Sequence, residues 1–283
     1  VNAASGRMIM GWFAKNERGL AMGIRQTAQP VGVAIAALAL PPLASHCGIH
    51  AALLFPAALC ALSAVSVWLW VIDPPRPAAS DGQFARISPY RGSTNLLRVH
   101  LASSLLVVPQ LTVASFTLVY LVEQQSWNAT VAGRVVFVFQ LAGALGRIVT
   151  GIWSDRVDSR LRPMRQLAAT AAALMLLLAL GAWLQTWWIV IVFGISAIVT
   201  VADNGLAFTS VAEIAGPHWA GRALGVHNTI QNVVSIACAP LLAVVISNTN
   251  YAWAFGIVAI SPILAILVTP VRAERREPNT VSR

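Results

Sequence analysis

The 283-residue chain is 57% hydrophobic, only 10% of it is Asp, Glu, Lys or Arg, and its mean hydropathy is +0.71. A soluble domain carries about a quarter charged residues, so that class is excluded and a membrane protein is indicated. The net charge of +9 does not point to nucleic acid, because the arginines lie in short loops between apolar runs without interleaved aromatics, which is the positive-inside pattern.

Residues 1–13 have the look of the last turns of a spanning helix, with Asn2, Ser5, Gly6 and Arg7 and no basic leader ahead of them. The chain is therefore expected to open inside a helix. A span needs about 20 apolar residues, and eight later stretches qualify, roughly 20–44, 50–72, 98–122, 129–153, 164–184, 187–212, 222–247 and 251–271. With the opening stump this predicts nine segments. Between Asp73 and Asn95, the runs Asp73-Pro74-Pro75-Arg76-Pro77, Asp81-Gly82 and Ser88-Pro89-Tyr90-Arg91-Gly92 prevent packing as a span, so this stretch is a connection. The cysteines Cys47, Cys60 and Cys238 lack ligand spacing and read as small hydrophobes, so neither a disulfide framework nor a metal site is expected.

The loops set the expected orientation. Lys15 and Arg18 fall in the first loop, Arg76, Arg86, Arg91 and Arg98 in or beside the long connection, and Arg156, Arg160, Arg162 and Arg165 in the fifth. Arg222 follows the seventh segment, and Arg272, Arg275, Arg276 and Arg283 form the tail. The alternate loops, at 45–49, 123–128, 185–186 and 247–250, contain no Lys or Arg. Fifteen charges against none predicts that the first-named loops and the C-terminus are cytoplasmic.

The stretch Gly19-Leu20-Ala21-Met22-Gly23-Ile24-Arg25-Gln26-Thr27-Ala28-Gln29 recurs in altered form as Gly221-Arg222-Ala223-Leu224-Gly225-Val226-His227-Asn228-Thr229-Ile230-Gln231, five of eleven positions being identical at an offset of 202 residues. Asn2 falls opposite Asn204 at the same offset. Each copy opens a long apolar run, as two homologous halves of a polytopic membrane protein would. Projected to the left edge, that offset predicts about 100 absent residues.

The pattern resembles the major facilitator superfamily of secondary transporters, two six-helix halves joined by a long cytoplasmic loop. The sharpest local sign is Gly151-Ile152-Trp153-Ser154-Asp155-Arg156-Val157-Asp158-Ser159-Arg160, similar to the family's loop between helices 8 and 9. Gly151, Asp155, Arg156 and Arg160 fit that pattern; Trp153, Asp158 and Ser159 depart from it. The efflux members' Gly-Pro-x-x-Gly-Gly is matched only by Pro30 in Gln29-Pro30-Val31-Gly32-Val33-Ala34, which weakens drug antiport. The resemblance implies an all-α polytopic membrane protein with a partial major-facilitator-type fold, equivalent to helices 4 to 12. Residues 1–72 would be an incomplete N-terminal helical half, 73–97 the cytoplasmic interdomain loop, 98–271 a complete C-terminal half and 272–283 a cytoplasmic tail. It also implies that Gly151, Asp155, Arg156 and Arg160 form a gating loop, with Asp155 accepting hydrogen bonds at the helix that opens near Gly19 to Gly23. A solvated Asp155–Arg156 pair is the plainer reading.

Polar residues inside spans are costly and mark partners, water paths or substrate sites. From the cytoplasmic ends, Arg7 lies about 10 Å in, Arg25 and His227 about 7 Å, Arg147 about 9 Å and Asp203 about 15 Å. Asp203 is either a partner for Arg147 or a direct handler of substrate or protons, in the equivalent of a helix that borders the family's central cavity. Arg7, Arg25 and Arg147 either snorkel or line the cavity, and Arg134 approaches from the outer side, where an anionic substrate could meet it. Gln110, Gln140, Asn204, Gln26 and Asn228 are neutral hydrogen-bonding candidates or interhelical glue. Trp12, Trp68, Trp70, Trp187, Trp188 and Trp219 read as interface anchors.

No nucleotide-binding or zinc-protease motif is present, so no enzyme activity, cofactor or metal is expected, and transport would draw on a gradient, with protons as one candidate. The expected partners are the lipid bilayer and a small solute or ion, not nucleic acid. The expected place is the cytoplasmic (inner) membrane of a bacterium. Two readings stay open: secondary active transport of a small solute by alternating access, and a truncated remnant or membrane scaffold that keeps the fold without flux. With part of the N-terminal half absent, Arg25 and Gln26 are expected to face lipid or another chain.

Overall fold

Within lipid a chain must satisfy its backbone polar groups internally, and long apolar runs do so as helices. The computed structural model describes residues 2–75, 88–91 and 93–274, and their regular structure is helical throughout. The helices are α1 (Asn2–Trp12), α2 (Arg18–Gln26), α3 (Ala28–Trp70), α4 (Asn95–Glu123), α5 (Ala129–Arg156), α6 (Leu161–Leu184), α7 (Ile189–Asn248), α8 (Tyr251–Val258), α9 (Ile260–Val268) and α10 (Val271–Glu274). Local chemistry fixes several ends: the Asn128 side chain accepts from the Thr130 N–H to start α5, and Asn250 accepts from the Trp253 N–H to start α8.

Six of these helical stretches are long and apolar enough to cross a membrane, not nine: Pro42–Trp70, Asn95–Glu123, Ala129–Arg156, Leu161–Leu184, Ile189–Asn248 and Tyr251–Val268. The difference has a structural cause. α1 has only 11 residues, and the expected segment 20–44 is divided at Thr27 between α2 and α3. The expected segments 187–212 and 222–247 are two helices that meet directly at a kink, where Gly216 adopts φ 72° and ψ 170°, and so run together as the 60-residue α7; Gly48 (φ 81°) makes the same break inside α3. Such a φ is cheap only for glycine, so that residue turns the chain without a loop. Central parts of the 73–97 connection and the tail beyond Glu274, with Arg76, Arg86, Arg275, Arg276 and Arg283, lie outside the described residues.

α7 is the central element, packing against α1, α2, α4, α5, α6 and α8. One buried cluster gathers Met22 of α2, Leu96 and Val99 of α4, Met164 of α6 and Leu206, Val211 and Leu224 of α7. A second joins Tyr120, Met175, Leu178, Phe193 and Phe255, with Phe193 meeting Phe255 edge-on at 5.7 Å. Helix faces follow lipid rather than water: α5 exposes Val138, Leu141, Leu145 and Val149 and buries Gly143, Ala144, Arg147, Thr150, Gly151 and Ser154. Small and polar residues inside with aliphatic residues outside is how helices associate when the solvent is hydrocarbon. Trp68, Trp70 and Trp187 are 82%, 75% and 74% exposed at helix ends, where an amphipathic ring suits a headgroup layer.

Candidate functional site

Two backbone contacts bring α2 and α5 together. A Cβ on Gly23 would sit 2.6 Å from the Arg147 carbonyl oxygen, and one on Gly19 would sit 2.6 Å from that of Gly151. The four-residue spacing Gly19 to Gly23 thus meets Arg147 to Gly151 at the same spacing, and glycine is required because no side chain fits between the helices.

This approach sets Asp155, at the end of α5, under the start of α2. Its Oδ1 accepts from the Gly19 N–H at 3.0 Å and its Oδ2 from the Leu20 N–H at 2.8 Å. These are otherwise unsatisfied first-turn donors at the positive end of a helix dipole, where a carboxylate is favoured. Arg160 lies behind it, 4% exposed. Its guanidinium donates to Asp155 Oδ1, Ser154 Oγ and the Lys15 carbonyl, and its Nε is 3.5 Å from Glu213 Oε2. Glu213 in turn lies 3.7 Å from Arg18 Nη1. A second carboxylate repeats the device: Glu274 accepts from the Arg160 and Leu161 N–H groups at 2.7 and 2.9 Å, at the start of α6, and from the Ser159 hydroxyl. The cluster ties α2, α5, α6, α7 and α10 together at one end of the bundle.

Arg156 is exposed and takes no part in this cluster, and Asp158 makes only an exposed pair with Lys15 at 3.3 Å. Of the four gating candidates, Asp155 and Arg160 converge, Gly151 permits the approach, and Arg156 lines an open surface cleft beside Asp155 and Leu20. Ser154 and Glu274 carry no mark in the sequence, and Glu213 is legible there only as a group able to titrate near a span. Glu213 and Glu274 become informative only once folding sets them beside Arg160 and the start of α6.

Deeper in the bundle, Arg147 is 3% exposed and Asp203 also 3%. Arg147 donates to the Gln26 carbonyl across the α2–α5 seam, and its Nε has no hydrogen-bond partner. Arg147 and Asp203 interact electrostatically between α5 and α7, but no ion pair within 4 Å joins them. Arg25 does not face lipid as expected: its Nε donates to Ser5 Oγ at 2.7 Å and its guanidinium lies 5.5 Å from the Phe208 ring centre. Gln26 is buried too, because α1 and α7 cover that flank of α2. Arg134 is exposed on α5, apart from these groups, as is Arg7 on α1. Asn204 donates to Gln110 at 3.1 Å, and Gln110 and Gln140 line a small cleft with Thr117 and Thr200 between α4, α5 and α7.

His227 is fully buried and is not alone. His100, which no motif marks in the sequence, places its Nδ1 2.9 Å from His227 Nδ1, and Tyr90 Oη lies 3.1 Å from His100 Nε2. Further along the same seam Gln231 donates to Ser103 at 2.6 Å. The signal available in the sequence was a lone histidine in an apolar run on each of two segments. Their pairing required the tertiary structure.

Among the described residues there is no group of three or more His, Cys, Asp or Glu able to hold a metal ion. Residues 1–239 match the profile of the Major Facilitator Superfamily. The chain is 46% identical over 274 residues to the uncharacterized MFS-type transporter Rv2994 of Mycobacterium tuberculosis (strain H37Rv), covering 96% of this chain and 61% of that protein. It is 45% identical to the uncharacterized MFS-type transporter MT3072 of strain CDC 1551, with the same coverage. A more distant relative is the probable galactarate/D-glucarate transporter GudP of Bacillus subtilis, 24% identical over 305 residues, or 95% of this chain and 67% of that protein. The chain spans about three fifths of the length of the first two, at 61%.

Proposed function

Because the chain belongs to the major facilitator superfamily, we propose that it is part of a secondary active transporter that moves a small polar solute by alternating access. Residues 1–72 and 98–271 act as two bundles on either side of the 73–97 connection, and the connection and tail face the cytoplasm. The observation that carries this reading is the Asp155 contact with α2. It joins segments 136 and 135 residues apart through two backbone donors and one carboxylate, so it can break as a unit when the bundles separate and re-form when they close. Asp203, Arg147, Asn204, Gln110 and Gln140 are the groups on which a solute would act, lying between α4, α5 and α7.

A solute bearing carboxylates suits Arg147, whose Nε has no partner and whose planar fork favours carboxylate recognition. The name of the Bacillus relative makes galactarate and D-glucarate the first acids to assay. The test is uptake by cells producing the complete reading frame that contains these residues. Saturable uptake of a small solute that Asp203→Asn removes supports the reading, and failure across a panel of organic acids, sugars and amino acids under imposed proton and sodium gradients refutes it.

A further inference from the structure

The imidazoles of His100 on α4 and His227 on α7 sit 2% and 0% exposed, on the same two helices that supply Leu96, Val99, Phe208, Val211 and Leu224 to the buried apolar cluster. The two Nδ1 atoms are 2.9 Å apart, the ring centres 5.1 Å, and Phe208 abuts His227 edge-on at 4.8 Å. A hydrogen bond between two ring nitrogens needs one proton and one lone pair, so the pair as it stands shares a single Nδ1 proton. His227 Nε2 has no hydrogen-bond partner, whereas His100 Nε2 reaches the hydroxyl of half-buried Tyr90, which stands next to exposed Arg91. Burial raises the Tyr90 phenol above its ordinary pKa, so the hydroxyl keeps its proton at neutral pH and can donate or accept toward His100.

We propose that Tyr90, His100 and His227 form a binding site for one proton, whose loading is coupled to separation of α4 from the 217–248 arm of α7. The balance is simple. The neutral pair holds two ring protons in all. A proton entering past Tyr90 gives His100 both N–H groups, one donating to Tyr90 Oη and one to His227 Nδ1, and leaves His227 with only its Nε2 proton. The pair then carries one positive charge with the same heavy-atom contacts. A second proton would set two Nδ1–H groups against each other at 2.9 Å, so the contact must break.

No carboxylate lies within 4 Å of either ring among the described residues, so nothing neutralises the charge while the seam is closed. The charged groups on the surrounding elements are engaged elsewhere or exposed. Arg25 of α2 lies over Phe208 and reaches Ser5; Arg18 of α2 and Glu213 of α7 pair with each other. Arg98 of α4 donates to the Val268 carbonyl of α9 at 2.9 Å, and Arg222 of α7 lies over Trp219. Arg147 of α5 donates to Gln26 and acts on Asp203 of α7; Arg7 of α1 and Arg91 beside Tyr90 are exposed. A lone buried charge is costly, so an open, hydrated seam binds the proton better than the closed one. By reciprocity the proton favours the open seam. The closed seam is therefore fully favoured at high pH and is lost as pH falls through the imidazole range.

The site is read through proton binding and not through flux, so its test is independent of the transported solute. In the lipid-reconstituted full chain with 15N-labelled histidine, the pair gives a through-hydrogen-bond coupling between two Nδ1 nuclei near about pH 8 that vanishes near about pH 5. Spin labels at Leu101→Cys and Val233→Cys, both exposed, with the native cysteines replaced, move to longer separation over the same change. His100→Gln and His227→Gln each abolish that movement. Five independently titrating histidines with no such coupling overturn the proposal in the wild-type chain alone, even where a variant fails to fold. A distance change that persists in both variants overturns it as well.

Discussion

Replacing Asp155 with Asn removes the charge and one of two acceptor oxygens without changing the side chain's size. The carboxylate now serves Gly19 N–H at 3.0 Å, Leu20 N–H at 2.8 Å and the Arg160 guanidinium together. The amide keeps one oxygen and turns its NH2 toward either a backbone donor or Arg160, so at least one charge-assisted hydrogen bond is lost, about 1.5–3 kcal/mol. Loss of the anion at the start of α2 adds about 0.3–1 kcal/mol. The sum, about 2–4 kcal/mol, shifts the ratio of closed to open forms by roughly 30-fold or more, at about 1.4 kcal/mol per factor of ten. Asp158→Asn supplies the contrast, since its pair with Lys15 is exposed on both sides and contributes at most about 1 kcal/mol. The assay is maleimide labelling of Thr150→Cys, 6% exposed and bonded only within its own helix through Gly146, in the chain freed of native cysteines. Labelling should accelerate roughly 30-fold with Asp155→Asn and change little with Asp158→Asn. Equal rates for the two would refute the reasoning.

Gly151→Ala should act at the same contact by steric means. Its Cβ meets the Gly19 carbonyl, and overpacking costs about 1–3 kcal/mol, read as a lower midpoint of thermal unfolding in detergent; an unchanged midpoint would show that the helices yield freely. Arg147→Gln removes the cation that acts on buried Asp203 from beyond ion-pair distance, so the loss should stay below the roughly 3–5 kcal/mol of a broken buried pair, and Asp203→Asn in the same chain should largely restore it. Flux, by contrast, should stay absent in the double variant; its full return would reduce the pair to a brace between α5 and α7. For orientation, an impermeant thiol reagent applied outside intact cells should reach Asn248→Cys and miss Ser88→Cys, and the opposite labelling would invert the assigned topology.

Much of this architecture is a property of the sequence, because the solvent imposes it. In hydrocarbon every backbone donor must be met inside the segment, so runs such as Leu161–Leu184 and Asn95–Glu123 can be read as helices from composition and length. The Asp155 contact was legible through the family resemblance, which implied a carboxylate after Gly151 meeting the helix that opens near Gly19, and the 202-residue repeat indicated which helix to consider.

Hydropathy could not resolve where spans divide, since one apolar run continues into the next. The positive φ of Gly216 lets the two halves of α7 meet at a kink without a loop, and the Thr27 N–H turning back to the Ile24 carbonyl marks where α2 gives way to α3. Nor could it pair side chains across helices. Arg160 reaches Asp155, Glu213 and the Lys15 carbonyl, and His100 finds His227 at a separation of 127 residues. Such contacts depend on the rotation of each helix about its own axis. Close packing of small residues, such as Gly23 against the Arg147 backbone, sets that rotation, and only the assembled bundle fixes it.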